Sequence, residues 1–308
     1  MPPAVFLDCG LRPDGGLCCV RRLKTAGTKA GGFVYIRRMN TANPVKYIDT
    51  HSHLYVRQFD ADRAAVVARA QEVLHAVFLP NIDCESVEEM NRLTALAPDF
   101  FFPLIGLHPS HVKDDFEAAL QRLKAWLDDP QYTWYGIGET GIDLYWDKST
   151  LAIQQESLRI QIGWAKEYGL PIILHARDAI DETADLIEQH LDARLWGIFH
   201  CFDGTVAQAE RITGFGSFKL GIGGIVTYRE DVQQVVKQVA PAHIVLETDS
   251  PYLTPVPFRG RRNEPAHIPL VRDAVASILG VTPDEVAAWT TGNARRFFRR
   301  DFQPGGSA

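Results

Sequence analysis

From residue 47 onward, short β-rich runs alternate with longer amphipathic stretches, and this alternation constrains the fold more than any other feature of the chain. Such alternation is typical of βαβ units that share a parallel sheet. The predicted strands cover residues 47–53, 76–81, 101–108, 133–139, 171–175, 195–200, 217–222 and 243–249. The predicted helices cover residues 60–74, 85–97, 115–128, 149–168, 179–190, 205–213, 229–238, 267–279 and 283–298.

Several of these strands are apolar throughout, at residues 101–107, 172–174 and 244–246. Strands of this kind are usually buried on both faces, as in parallel sheets covered by helices. About eight such units predict an α/β fold, a parallel (β/α)₈ TIM barrel, which needs roughly 250 residues. An open doubly wound sheet is the alternative, and it would require ligands from distant strands to converge on one switch point.

The two ends of the chain differ from this alternating region. Residues 1–38 mix Gly, Pro, Cys and Arg without a sustained period, so we predict a disordered N-terminal extension. Met39 directly precedes the alternating region, and we expect it to be the natural start. The expected organisation is a single barrel domain over residues 39–300 and a C-terminal tail over residues 301–308.

Charge is unevenly distributed along the chain. Residues 1–38 carry a net charge of +5, whereas the whole chain carries −6, so the remainder carries −11. An acidic body argues against a protein that coats nucleic acid, but not against an enzyme that contacts a phosphodiester through metal ions and a few arginines. The odd number of cysteines, five, indicates a reduced, cytoplasmic setting. No apolar run approaches the roughly 20 residues that span a membrane, so we expect no membrane association.

Residues that can bind metal follow the predicted strands. His51 and His53 come at the end of the first strand, where residues two apart point to the same side. Neutral imidazoles are common ligands of divalent ions, although a single histidine could equally be structural. The ends of four other strands carry Glu139, His175, His200 and Asp249. Because the carboxyl ends of barrel strands form one face, these six residues predict a shared metal site.

Seven short motifs carry a resemblance to a known family. They are Asp49–His53, Gly106–Pro109, Gly138–Asp143, His200–Phe202 followed by Gly204, Glu247–Pro251, Arg259–Pro265 and Asn293–Arg296. With them the sequence closely resembles the TatD-type metal-dependent deoxyribonucleases, a branch of the amidohydrolase-like barrels. The resemblance covers residues 47 to about 298. One departure is Asp203, where the family more often has Ser.

The resemblance implies two divalent metal ions. His51, His53 and Asp249 would hold one, His175 and His200 the other, and Glu139 would bridge them. The family's usual dependence is on Mg²⁺, whereas histidine-rich ligation suits Zn²⁺ or Mn²⁺ better. The implied reaction is hydrolysis of a DNA phosphodiester by a metal-activated water, with Asp249 as the group that takes its proton.

The expected function is a metal-dependent deoxyribonuclease, a 3′–5′ exonuclease on single-stranded DNA, with no obligate protein partner. The predicted substrate contacts are His108, Arg177, Arg259, Arg261 and Glu247. The rim aromatics Trp146, Phe202 and Tyr252 could stack on a base or pack beneath their loops. Two alternatives stay open: hydrolysis of another ester, amide or phosphate substrate such as a D-aminoacyl-tRNA, and a metal-stabilised binding protein without activity.

Overall fold

The computed structural model describes residues 6–11, 17–22 and 46–300, and the chain divides into two units, residues 1–43 and 44–308. In the first unit, strands Phe6–Leu11 and Leu17–Arg22 pair antiparallel, with Cys9 opposite Cys19. The sequence predicts no regular structure there, because such a pairing depends on contacts between two segments rather than on the period of either. The remainder of the predicted extension, Met39 and the tail lie outside the described residues.

The second unit repeats strand and helix along its length. Its strands are β1 (Tyr47–Asp49), β2 (Leu74–Pro80), β3 (Phe101–Leu104), β4 (Ile137–Asp143), β5 (Ile172–Arg177), β6 (Gly197–Phe199), β7 (Phe218–Ile222) and β8 (Ile244–Leu246). Its α-helices are α1 (Arg63–Val73), α2 (Ser86–Leu96), α3 (Phe116–Asp128), α4 (Leu151–Tyr168), α5 (Ile180–Gln189), α6 (Val206–Gly214), α7 (Glu230–Gln238), α8 (Ile268–Leu279) and α9 (Pro283–Phe298). None of the helices in the described ranges is both long and apolar enough to cross a membrane.

The strands are parallel and follow chain order around a ring. β1, β2 and β3 form one ladder, and β4 to β8 form another. Two seams join the ladders, each through an isolated parallel bridge: Ile105 with Ile137, and Ser52 with Ser250. In residues 46–300 this arrangement is the predicted α/β barrel and not the open sheet.

Several predicted strand ends differ from the structure, among them those of β3, at Leu104 instead of 108, and β8, at Leu246 instead of 249. β1 ends at Asp49, so His51 and His53 lie beyond it, where the chain bonds to the residues after β8. β4 continues past Glu139 to Asp143, because β5 extends to Arg177 and offers partners along its whole length. Glu139 therefore lies within a strand instead of at its end.

The amino ends of the strands enclose an apolar cluster. It comprises Ile48, Ala76, Phe78, Phe102, Leu104, Ile173, Ile198 and Val245, with Ala294, Phe297 and Phe298 of α9. Helix α9 covers this end, since Asn293 Nδ2 donates to the carbonyl of Ile244, the first residue of β8, at 2.7 Å. With one end closed by hydrophobic packing, the polar residues are confined to the other.

Candidate metal centre

The seam between β1 and β8 positions the first pair of histidines. The backbone N–H of Asp249 donates to the carbonyl of His51 at 2.9 Å, and that of His53 donates to the carbonyl of Ser250 at 2.8 Å. Asp249 has a φ of 52°, in the left-handed region that Asp tolerates better than most residues. The local backbone thus brings the carboxylate of Asp249 beside the two imidazoles.

A hydrogen-bond relay sets the tautomer of His53. The Tyr55 hydroxyl donates to the carbonyl of Pro80 at 2.6 Å, so its oxygen accepts from His53 Nδ1, 3.0 Å away. The Nδ1 proton of His53 is therefore engaged, and Nε2 is left for a second proton or a metal ion. Such partners on the outer nitrogen are usual for metal-binding histidines.

Four side chains converge in the first group of ligand atoms. His51 Nε2 lies 3.1 Å from His53 Nε2, 3.2 Å from Glu139 Oε2 and 3.7 Å from Asp249 Oδ1. His53 Nε2 lies 3.5 Å from the same Asp249 oxygen. Two imidazole nitrogens and two carboxylate oxygens around one point fit a divalent cation, because this donor set suits first-row metals.

A second group surrounds the other oxygen of Glu139. Oε1 lies 2.9 Å from His175 Nδ1, 3.1 Å from His200 Nε2 and 3.3 Å from His108 Nε2. His108 thus comes as close to Glu139 as the predicted ligands do, although its sequence position indicated only a substrate contact. The Glu139 carboxylate lies between the two groups, with one oxygen in each.

A bulge turns Glu139 toward the ring axis. The register of β4 against β5 shifts between Ile137 and Thr140, and such irregularities often re-aim a side chain beside an active site. Gly138, with a φ of 146°, makes the close approach possible, because a Cβ there would lie 2.8 Å from the carbonyl oxygen of Ile173.

The two acids of the cluster are held ionised. Burial alone would raise the pKa of Glu139, but the imidazoles of His108, His200 and His51 outweigh it and keep that pKa well below its usual range. Burial likewise opposes ionisation of Asp249, yet the hydrogen bond from His53 and the other imidazoles lower its pKa. Both carboxylates are therefore ready to bind a cation.

The pKa values of the histidines shift in different directions. Burial opposes protonation of His53, but hydrogen bonds to Asp249 and Glu139 raise its pKa to about 9. For His51, burial and the neighbouring His200 lower the pKa, and burial lowers the pKa of His108 to about 4. A proton on His53 is thus the main competitor of a metal ion in the first group.

Two further acids support the cluster. Asp143 Oδ2 accepts from His175 Nε2 at 2.9 Å, which turns Nδ1 of His175 toward Glu139. Asp49 accepts from the backbone N–H of His51 at 3.2 Å and of Thr248 at 2.9 Å, so it ties β1 to the segment after β8. Burial raises the pKa of Asp49 to about 8. Asp49 is not among the site residues predicted from the sequence. The feature that could have identified it is an acid on a buried strand, two residues before His51.

The cluster forms the floor of a cleft of about 620 Å³. Of the predicted substrate contacts, His108 and Arg177 line this cleft. Glu247 is fully buried, with Oε1 3.3 Å from His200 Nδ1, so it lies behind a predicted ligand instead of facing the cleft.

The rim arginines differ in whether they line the cleft. Arg259 stacks on the ring of Tyr228 at 3.8 Å, and neither it nor the exposed Arg261 is among the residues that line the cleft. Arg229 does line it, and its guanidinium contacts Asp203 at 3.0 Å. Arg229 was missed, although it directly precedes the helix after the seventh strand and so lies on the same rim.

The rim aromatics divide into two kinds. Phe202 also lines the cleft but is only 2% exposed and packs in the core, as the structural alternative predicted. Trp146 and Tyr252 line the cleft and are exposed.

Comparison with known proteins places this geometry in a family. The sequence profile described as "TatD related DNase" matches residues 48–299. An uncharacterized metal-dependent hydrolase of Bacillus subtilis, YabD, is 36% identical over 254 residues, covering 82% of this chain and 98% of its own length.

Two other relatives extend the likeness. A protein of Rahnella named 3′-5′ ssDNA/RNA exonuclease TatD is 32% identical over 252 residues, covering 78% of this chain and 94% of its own. The crystal structure of YjjV, a TatD homologue from Escherichia coli, superposes with a TM-score of 0.77 at 29% identity, covering 83% of this chain and 98% of YjjV.

Proposed function

We propose, from the premise that this chain belongs to the TatD-related DNase family and is a metal-dependent hydrolase, that it is a nuclease acting on single strands from the 3′ end. The observation that carries the proposal is the position of Glu139. Its two oxygens face two separate groups of imidazoles, with Asp249 completing the first. This geometry suits a pair of divalent ions, which is common in enzymes that cleave phosphodiesters.

The ligand set divides between the two ions. His51, His53 and Asp249 would hold one and His175 and His200 the other, with Glu139 shared and His108 adjacent to the second. Bound divalent ions would supply an activated water and charge stabilisation for the phosphate. Histidine-rich ligation favours Zn²⁺ or Mn²⁺, whereas the resemblance favours Mg²⁺.

The residues of the chain carry the remaining steps. Asp249 directs Oδ1 to His51 and His53, which leaves its other oxygen to accept the proton of the attacking water. Arg177 on the rim can contact a non-bridging phosphate oxygen with its planar guanidinium. Arg229 is partly neutralised by Asp203, so it contributes less positive charge to the cleft.

The choice of nucleic acid as the substrate rests on two supports. A relative of similar length is named as an exonuclease on single-stranded DNA and RNA. The cleft also combines arginine with exposed aromatic rings, a combination that suits single strands. A cytoplasmic location and action without an obligate protein partner remain predictions from the sequence.

The test is digestion of end-labelled single-stranded DNA and RNA by the protein and its Glu139→Ala variant. Both are stripped of metal and then supplied with Mg²⁺, Mn²⁺ or Zn²⁺. We expect metal-dependent shortening from the 3′ end, lost in the variant. Glu117→Ala, which removes an exposed glutamate of α3, is the matched control and should cleave normally.

The opposite result is equally informative. If no metal supports cleavage of either strand while metal analysis still shows bound ions, the nuclease proposal fails and the hydrolase function stands. Ester and amide substrates, including D-aminoacyl-tRNA, would then be assayed with the same variants.

A further inference from the structure

We propose that the exposed ring of Trp146 is a stacking platform for an unpaired base adjacent to the bond that is cut. This inference rests on the nuclease function proposed above and adds a second nucleotide subsite to it. The platform consists of Tyr145, Trp146 and Arg177, and Lys113 lies beyond it.

The three side chains of the platform support one another. Trp146 is 76% exposed and Tyr145 51%. Their ring centroids lie 4.7 Å apart with the planes at 90°. Arg177 places its guanidinium carbon 3.6 Å from the Tyr145 centroid and 5.8 Å from that of Trp146. Arg177 thus covers Tyr145, while the larger indole surface stays open to a ligand.

Exposed apolar side chains are concentrated near the cleft. Of the six large hydrophobic residues that are exposed in the described part of the chain, Trp146, Tyr252 and Leu253 line it. Tyr145 is next to Trp146, and Leu96 and Val256 do not line the cleft. An exposed indole ring leaves apolar surface in contact with water and adds nothing to the core. Its location beside the cleft of the candidate metal centre therefore points to a ligand. A base has a flat apolar face of the same kind.

The platform is held at a fixed distance from the metal centre. Asp143 accepts from the backbone N–H of Tyr145 with Oδ1, at 3.0 Å, and from His175 with Oδ2, at 2.9 Å. Gln154 in turn accepts from the backbone N–H of Asp143 at 2.7 Å. One buried carboxylate therefore joins a predicted metal ligand to the backbone of Tyr145, next to Trp146, which gives the platform a defined position.

Trp146 separates two cavities. It lines the cleft of about 620 Å³ above the metal centre and also an outer cavity of about 280 Å³. Lys113 lines the outer cavity. The Asp147 carboxylate there is engaged by the N–H and hydroxyl of Ser149, at 2.8 and 2.6 Å. A strand with its reactive phosphate at the metal centre would lay its neighbouring base on Trp146 and its next phosphate near Lys113.

This subsite explains a preference for single strands. A base within a duplex is stacked on both faces and offers no open surface to an indole. Stacking is also tolerant of base identity, so the subsite would select unpaired structure and not sequence.

The test combines a protein change with a substrate change. Binding of a fluorescent oligothymidylate to the metal-loaded protein is measured by anisotropy, with phosphorothioate linkages to suppress turnover. A second strand lacks the bases, and a third is a duplex. The proteins are wild type, Trp146→Ala, Trp146→Phe and the control Leu96→Ala.

We expect Trp146→Ala to weaken binding of the oligothymidylate about tenfold, and Trp146→Phe to restore most of it. The abasic strand should bind wild type as weakly as the normal strand binds Trp146→Ala, and the variant should lose little more on the abasic strand. Leu96→Ala should bind as wild type.

The platform proposal would be refuted if the losses of affinity from Trp146→Ala and from removal of the bases were additive. It would also be refuted if wild type and Trp146→Ala bound the normal strand equally well. Cleavage by wild type is measured in parallel with unmodified DNA. If cleavage occurs without this coupling, only the subsite fails. If wild type neither cleaves nor binds any strand, the nuclease function fails as well.

Discussion

The two ends of the barrel are built from opposite chemistry. At the amino ends of the strands, Phe78 is fully buried and stacks on Phe298, with ring centroids 3.5 Å apart. At the carboxyl ends, Glu139 is equally buried but is surrounded by imidazoles and carries a charge. The first end is held by apolar area removed from water, and the second by charges that need partners.

Because of this difference, we expect mutations at one end of the barrel to affect stability and mutations at the other end to affect activity. Loss of an apolar side chain leaves a cavity, whose cost falls on the free energy of unfolding. Loss of a buried acid removes its own desolvation penalty together with its ion pairs, and the partner imidazoles can release their protons, so we expect the cost to fall mainly on metal binding. The predictions below test how completely the two ends are independent, from the largest effect to the smallest.

The largest effect is expected from Glu139→Gln, which keeps the side-chain volume but removes the charge shared by both ligand groups. Turnover of a cleavable strand should fall by at least about 10³-fold, because the groups act as a unit. Bound metal is measured by mass spectrometry and turnover by initial rates. Turnover within tenfold of wild type, with metal retained, would refute the shared role of Glu139.

At the amino end, Phe78→Ala should lower the free energy of unfolding by about 3–5 kcal/mol while the folded variant turns over normally. The measurement is urea unfolding together with the rate per folded molecule. Leu96→Ala, at a side chain that is 80% exposed, is the control and should change stability by less than about 0.5 kcal/mol. A matching loss of turnover in Phe78→Ala would show that the two ends are coupled.

A smaller effect at the carboxyl end is expected from Asp143→Asn, which weakens the hydrogen bond that orients His175. Metal affinity should fall by about 10- to 100-fold, with unfolding in the metal-free state little changed. Competition with a chromophoric chelator measures the affinity. Asp99→Asn, an exposed aspartate outside the site, supplies the baseline, and equal affinities in both variants would contradict the role of Asp143.

The last effect, the smallest per unit of change, is a pH dependence confined to the carboxyl end. The pKa of His53 is raised to about 9, so near neutral pH a metal ion must displace its proton. Metal affinity should therefore rise about tenfold per pH unit between pH 7 and 9 and then level off. Calorimetry in buffers of different ionisation enthalpy detects the released proton, and an affinity that does not change with pH would exclude it.

The raised pKa of His53 also affects the stability of the metal-free protein, and proton linkage determines the direction of this effect. A histidine whose folded pKa is raised stabilises the fold fully below the unfolded value of about 6.5, and this is lost as pH rises through about 9. The metal-free protein should thus lose stability between these values. Phe78→Ala should show the same dependence, because its cavity carries no titrating group.

The barrel and the convergence of six polar residues could be predicted from the sequence for a geometric reason. Parallel strands of a closed ring all end on one face, so His51, His175 and Asp249 meet although the chain separates them widely. The alternation of strands and helices in the sequence was enough to predict that these residues converge. That these residues bind metal remains a prediction.

Other features could not be predicted, because they depend on register and loop conformation. Glu139 reaches both ligand groups through a shift in pairing within β4, which no periodicity indicates. Arg262 lies on the same loop as the predicted substrate contacts Arg259 and Arg261. In the structure it pairs with Asp62, with both contacts at 2.7 Å, across 200 residues of chain.

The seam between β1 and β8 also indicates when the candidate metal centre forms during folding. Ser52 and Ser250 are 198 residues apart in the chain and are joined by a 2.7 Å hydrogen bond between their hydroxyls. His53 and Asp249 lie on either side of this seam, so the first ligand group exists only after the last strand has closed the ring. A metal ion there would cross-link the beginning and end of the barrel, and closing so long a loop makes such contacts late to form. Metal uptake by the first group would therefore report that the ring has closed at its last strand.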